Sequence, residues 1–205
     1  MASVNQARTA DSLDLPEKRF ATAAALRKWL MAHHGDSRGI WLVFAKKGTT
    51  PATVTYPEAV EEALCFGWID GQKLSRDAST YRLRFTPRSP RSIWSQINKN
   101  KVAVLEAAGR MQAGGRAAVA QAKANGQWER AYASAKTAEA PADWLAALEK
   151  RPKAKAFFAT LKSASRFAIL YRLQSVKREE TRARKMKEFL AMLERGEAPH
   201  LFKSQ

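Results

Sequence analysis

The side chains best able to recognise or transform a ligand are concentrated between Phe66 and Asn98. Trp68 and Asp70 sit in Phe66-Gly67-Trp68-Ile69-Asp70-Gly71. Arg82 and Arg84 follow, then Arg88 and Arg91 just ahead of Ser92-Ile93-Trp94-Ser95, and finally Asn98. Ser92 is placed to cap a helix, which would aim Arg88 and Arg91 at a positive helix terminus. Trp94, Asn98 and Lys101 would then share one helix face. Guanidinium groups, backbone N–H groups and an indole in this grouping suit a phosphate or a stacked base. The same residues also have a structural reading, in which Asp70 pairs with an arginine and Trp68 and Trp94 fill the core. A third reading uses Asp70 as a carboxylate acid or base beside an anion-holding arginine.

A second basic run, Lys177-Arg178-Glu179-Glu180-Thr181-Arg182-Ala183-Arg184-Lys185-Met186-Lys187, places Arg178, Arg182 and Lys185 on one helical stripe. It reads either as a contact helix for a polyanion or as a solvated face, with Glu180 offered to Arg184 one turn on.

Other chemistries find little support. A zinc site needs three or four closely spaced ligands, and the chain has one cysteine, Cys65, and three histidines, His33, His34 and His200. Cys65, in an apolar helix ahead of Phe66, reads as a small core residue. No GxSxG or SxxK motif occurs. Gly109-Arg110-Met111-Gln112-Ala113-Gly114-Gly115-Arg116 lacks the Gly-Lys-Ser/Thr of a phosphate loop and reads as a turn between helices. A residual option is that Gly115 and Arg116 open an anion-binding helix. No catalytic residue, metal or cofactor is therefore expected.

The elements that must position these residues can be read from spacing. Thr22 to His34 is amphipathic, and Gly39–Ala45 is an apolar, β-branched and aromatic run with the length of a central strand. Thr55 with Glu58 forms a capping box ahead of a helix whose inner stripe is Val60, Ala63, Leu64 and Gly67. Tyr81, Leu83 and Phe85 alternate with Arg82, Arg84 and Thr86, a half-buried strand paired with Trp68–Lys73. From Ser92 the pattern is helical, with Ile93, Ile97, Val104 and Ala108 recurring on one stripe. Gly115–Asn125 is a further helix. The last helix runs through Ile169, Leu173, Val176, Ala183, Leu190 and Leu193. The expected architecture is α+β: a small mixed sheet with helices in residues 1–132, a linker at 133–141, and a helical region at 142–205.

Of 205 residues, 36 are Lys or Arg and 19 are Asp or Glu, a formal net charge of +17. Residues 1–100 carry 15 basic and 9 acidic side chains, while residues 101–205 carry 21 and 10. This excess points to a polyanion or phosphate-bearing partner, nucleic acid among them. A single cysteine, no apolar run near bilayer length, and an amino terminus with Asp11 and Asp14 instead of an apolar h-region lead us to expect a cytoplasmic protein without a membrane span.

Leu64-Cys65-Phe66-Gly67-Trp68-Ile69-Asp70-Gly71, Phe85-Thr86-Pro87-Arg88 and Ser92-Ile93-Trp94-Ser95 with Asn98 resemble the YdeI/OmpD-associated, or bacteriocin-protection, proteins. So do Gly109-Arg110-Met111 with Gly115, Gly126-Gln127-Trp128 ahead of Ala131-Tyr132, and Glu180-Thr181-Arg182 with Arg184. The resemblance spans roughly residues 29–193. It implies a bacterial protein linked to tolerance of bacteriocins, antimicrobial peptides or envelope stress, with no catalytic residue to carry over. Ser89 departs from it, standing where members often place a second basic residue.

Overall fold

The computed structural model describes residues 14–134, 137–176 and 178–199. Met1–Leu13, two residues of the expected linker (135 and 136), Lys177 and His200 lie outside the described residues. The chain is α+β, with a four-stranded mixed sheet and eight helices among those residues. It divides into two units, one formed up to Trp94 and again from Asn98 to Ala131, the other by Ser95–Ile97 with the chain from Tyr132 onward.

The first unit comprises β1 (Glu17–Lys18), α1 (Ala23–His33), β2 (Ile40–Ala45), α2 (Tyr56–Cys65), β3 (Trp68–Ser75), β4 (Thr80–Pro87), most of α3 (Gln96–Ala107) and α4 (Ala113–Ala124). Local sequence sets most of the boundaries. Thr22 caps α1, its hydroxyl accepting from Ala25 N at 3.2 Å. The Glu58 carboxylate accepts from the Thr55 N–H at 2.8 Å and the Thr55 hydroxyl at 2.6 Å, fixing the start of α2. Gly67, at φ +77°, ends α2 and turns the chain into β3.

The sheet order is β1-β2-β4-β3, with β1 parallel to β2 and the other pairs antiparallel. β2 is buried on both faces, as its unbroken apolar run requires. Ile40, Leu42 and Phe44 join Leu83 and Phe85 of β4 in the main core, beneath α1 and α2. Trp41 and Val43 alternate to the other face, where β4 presents Arg82 and Arg84. Asp77 closes the β3–β4 hairpin. Its carboxylate accepts from the Thr80 hydroxyl at 2.6 Å, the Ser79 N–H at 2.8 Å and the Thr80 N–H at 2.7 Å. These bonds, that of the Thr80 hydroxyl foremost, hold its carboxyl well below the ordinary aspartate range.

Two helical expectations are corrected. The helix after β4 opens at Gln96 instead of Ser92, and its inward stripe is Asn98, Val102 and Leu105. Ile93, Ile97 and Val104 are 45%, 51% and 69% exposed. The buried Trp94 anchors the entry to α3, and Lys101 pairs with Glu61 of α2 at 2.7 Å. Those two contacts set the rotation of the helix against its own aliphatic stripe. The expected last helix is in fact two.

The second unit packs α5 (Ala142–Glu149), α6 (Pro152–Thr160), α7 (Ser163–Gln174) and α8 (Glu179–Glu194) around a separate core. Trp144, Ala154, Ile169 and Leu173 are its most enclosed members. α7 stops at Gln174, where the Ser175 N–H closes the last turn on Tyr171 O, and α8 begins four residues after Ser175. Val176 is half-buried in the break and Ala183 is exposed, while the other residues of the expected stripe are buried.

Candidate functional site

β4 sets Arg82 and Arg84 two residues apart on the sheet face opposite the core, about 7 Å along the strand. The Arg82 guanidinium lies over the Trp41 ring at 4.8 Å and bonds Glu17 of β1. Glu17 is also bonded by Arg76 at 2.9 Å, and this pair of arginines, Arg76 first, lowers its carboxyl below the usual range. Arg84 has no acidic partner among the described residues. It lies across Gly71, where a Cβ would stand 3.5 Å from its Nε. The Nε atoms of Arg82 and Arg84 are both buried donors without an acceptor among the described residues. Arg82 is thus committed to the fold, and Arg84 is only half so.

Arg88 is deeply engaged. Its Nε donates to Trp68 O at 3.3 Å, its Nη1 donates to Ile93 O at 3.1 Å, and its guanidinium stacks on Trp94 at 3.7 Å. Trp94 is 3% exposed and meets the half-buried Trp128 edge-on, with centroids 4.9 Å apart. Two lysines crowd the same Trp128 ring. Lys99 Nζ stands 5.1 Å and Lys123 Nζ 5.5 Å from its centroid, and Lys99 also donates to Trp128 O at 3.0 Å. Neither lysine has an acidic partner among the described residues. Arg91, exposed and likewise without one, follows Pro90, whose carbonyl accepts from Asn125 Nδ2 at 2.8 Å in the turn leading to Trp128. A row of arginine, indole, indole and two ammonium groups results. Trp128, Lys99 and Lys123 were missed in the sequence because they lie on two other segments. The Trp-Lys interleaving becomes visible only once Lys99 of α3 reaches the turn that follows α4.

The remaining nominated residues serve the loop and the core. Ser92 caps no helix; its hydroxyl accepts from the Ser89 N–H at 3.0 Å and its own N–H donates to Ser89 O at 2.9 Å, closing a turn. Trp68 is 1% exposed and its indole donates to His34 O at 3.1 Å. The Asp70 carboxylate accepts from the Tyr56 hydroxyl at 2.9 Å, so its partner is a phenol and not the arginine expected on the structural reading. Asp70, Asn98 and Arg88 do meet, together with Val60 and Leu64, round a recess with no room for a water molecule.

A buried charge network, built round a side chain that sequence reasoning passed over, lies behind this corner. Glu62 of α2, 4% exposed, accepts from Arg27 at 2.8 Å through one oxygen and from Arg110 at 2.7 Å through the other. Arg27 also donates to Arg110 O at 2.9 Å. Lys101 and Arg110 hold Glu61, whose carboxyl is lowered chiefly by the Lys101 ammonium. These ties lock α1, α2, α3 and the α3–α4 turn together. Cys65 lies fully buried a turn beyond Glu62, and burial pushes its thiol up in pKa, the opposite of what a nucleophile needs. The start of α4 is filled: Gln112 N donates to Cys65 O at 3.0 Å, and a Cβ on Gly115 would fall 2.2 Å from that oxygen. Gly114 and Gly115 therefore let the carboxy end of α2 abut the amino end of α4, and leave no terminus for an external anion. The described residues contain no group of three or more metal-ligating side chains.

In the second unit, Arg182 is taken up by the fold. Its Nε and Nη2 grip both oxygens of Asp143 at 2.8–2.9 Å, and its Nη1 bonds Leu173 O. This grip, led by the Arg182 guanidinium, holds the Asp143 carboxyl below its usual range. Arg178 stands at the amino cap of α8 and Lys185 is half-buried on its flank, so the stripe shares its direction but not its exposure. Arg184 pairs with Glu188 at 3.8 Å on the open side.

Residues 18–118 match a family model described as Domain of unknown function (DUF8412), and residues 137–196 match one described as Bacteriocin-protection, YdeI or OmpD-Associated. No curated protein and no solved structure matches the chain. The Gly67-Trp68-Ile69-Asp70-Gly71 and Pro87-Arg88 motifs fall within the first match, and Glu180-Thr181-Arg182 falls within the second. The family likeness read across nearly the whole chain is thus carried by the helical end, where Arg182 and Asp143 tie the bundle together. Residues 137–196 are similar to the bacteriocin-protection, YdeI or OmpD-associated family.

Proposed function

We propose that this is a bacterial cytoplasmic binding protein, non-catalytic, that contributes to bacteriocin or antimicrobial-peptide tolerance or to envelope stress by engaging an anionic partner. The family description of residues 137–196 supports the tolerance role. A net charge of +17 makes direct capture of a cationic bacteriocin unfavourable and supports an indirect role through an anion. The observation that carries the reading is the placement of Lys99 and Lys123 over one half-buried indole, with Arg91 next to Pro90, which bonds Asn125 in the turn before that indole, and none of the three with an acidic partner among the described residues. Arg84 on the sheet face is a further cation of the same kind.

The test is fluorescence anisotropy of labelled inorganic polyphosphate against the full chain across a salt series. Binding at about 1–100 µM in low salt, weakening steeply as salt rises, is expected. The Arg91→Ala/Lys99→Ala/Lys123→Ala variant should lose about tenfold or more while its melting temperature stays within a few degrees. Affinity weaker than millimolar, or a triple variant that binds like the parent, overturns the reading.

A further inference from the structure

We propose that the Trp128 corner binds single-stranded nucleic acid, one base stacking on the indole while flanking phosphates take Lys99, Lys123 and Arg91. This rests on the anion reading above and adds the ligand class. Charge alone would be satisfied by any polyanion; the ring is the distinguishing feature. Non-specific single-strand sites combine cations that follow the backbone with an aromatic face for the base. Here both are present within one short reach, with ammonium groups 5.1 and 5.5 Å from the Trp128 centroid. The ring is held in place from behind, since the buried Trp94 packs edge-on against it and is itself covered by Arg88. A platform fixed before binding spares the ordering cost of a mobile side chain.

The present occupancy of the ring is poorly balanced. Two like charges share one half-buried indole, and of the two only Lys99 has a hydrogen-bond acceptor, the Trp128 carbonyl. A phosphate offers each lysine a full counter-charge. Moving the two flexible stems onto the backbone clears the ring for a base. A duplex keeps its bases stacked and paired, so it cannot offer one to the indole without flipping it out.

The experiment compares three labelled ligands of equal length on the full chain: an oligo-dT strand, the same backbone with abasic sites, and a duplex. The dT strand should bind about tenfold more tightly than the abasic strand, the equivalent of one stacked base, and more tightly than the duplex. Trp128→Leu should remove the preference for dT over abasic, and Trp128→Phe should retain most of it. The Lys99→Ala/Lys123→Ala variant should weaken both strands and make the salt slope shallower by about 1.4. Equal affinity for dT and abasic strands, alongside polyphosphate binding, overturns this proposal and leaves the anion reading standing. If no strand and no polyphosphate binds, both fall. Equal losses for dT and abasic strands in Trp128→Leu would make the ring a packing residue only, which also overturns the proposal. The comparison of dT with abasic on the unaltered protein decides the matter even if Trp128→Leu does not fold.

Discussion

Arg88→Ala separates a structural arginine from a ligand-binding one. Arg88 makes two hydrogen bonds to carbonyls, at 3.3 Å to Trp68 and 3.1 Å to Ile93, and stacks on Trp94 at 3.7 Å. Both bonds are on the long side, so about 1 kcal/mol each is a fair share for a charged donor. Stacking against a buried indole adds about 1 kcal/mol more. The loss should be about 3 kcal/mol, or roughly 12 °C in melting temperature for a domain of this size. Arg91→Ala, at an exposed position, should change stability by about 0.5 kcal/mol or less. Arg84→Ala should fall between them and nearer to Arg91, since its buried Nε makes no bond to lose. Arg88→Lys keeps the charge but not the planar fork, and should recover less than half of the loss. The assay is urea denaturation followed by tryptophan fluorescence, with Trp68 and Trp94 as nearby reporters. An Arg88→Ala protein within about 0.5 kcal/mol of the parent would refute this assignment, and so would an Arg84→Ala protein that is equally destabilised. The outcome also governs the choice of binding variants: a variant lacking Arg88 would confuse lost affinity with lost structure, Lys99 gives up one carbonyl bond, and Arg91 and Lys123 give up none.

Gly115→Ala sets helix propensity against sterics. Alanine should favour α4 by about 1 kcal/mol, but its Cβ would meet the Cys65 carbonyl oxygen at 2.2 Å and carbon at 2.7 Å, both backbone atoms. The clash should dominate and lower stability by several kcal/mol in urea melts; a neutral or stabilising result would mean that α2 and α4 are not in contact there. Asp143→Asn tests the Arg182 clamp through pH. The folded carboxyl titrates below the unfolded one, so the clamp stabilises fully above the unfolded value of about 3.9 and is lost as pH falls through the lower folded value. The variant should be less stable than the parent at pH 7, and the gap should narrow below about pH 4. A gap constant from pH 7 to pH 3 would exclude the carboxylate as its source.

How far the sequence exposed this structure depends on which interactions are local. The Thr55–Glu58 capping box, the apolar run of β2 and the alternation of β4 are set by neighbours in the chain, and each appears where the spacing places it. The rotation of α3 does not. Ile93, Ile97 and Val104 form a better apolar stripe than Asn98, Val102 and Leu105, yet they are the exposed ones. What overrides the stripe is remote: Trp94 packing beside Trp128 and Lys101 reaching Glu61. The same holds for the end of α7 at Gln174, where the helical period of the sequence continues but the second core is built from two helices.

The arginines nominated from sequence show a related effect. Only Arg88 finds its partner close in the chain, on Trp94; Arg82 is taken up by Trp41 and Glu17 and Arg182 by Asp143, all brought to them by the fold. A guanidinium that already satisfies its donors internally has little left to offer a ligand, and withdrawing it costs stability. Lys99 and Lys123, which no motif singled out, flank Trp128 and have no acidic partner among the described residues. In a chain with an excess of basic residues, what marks a structural arginine is therefore the number of internal acceptors and rings that the folded chain brings to it, and the cations left for a ligand are those, such as Lys123, to which it brings a ring but no acceptor.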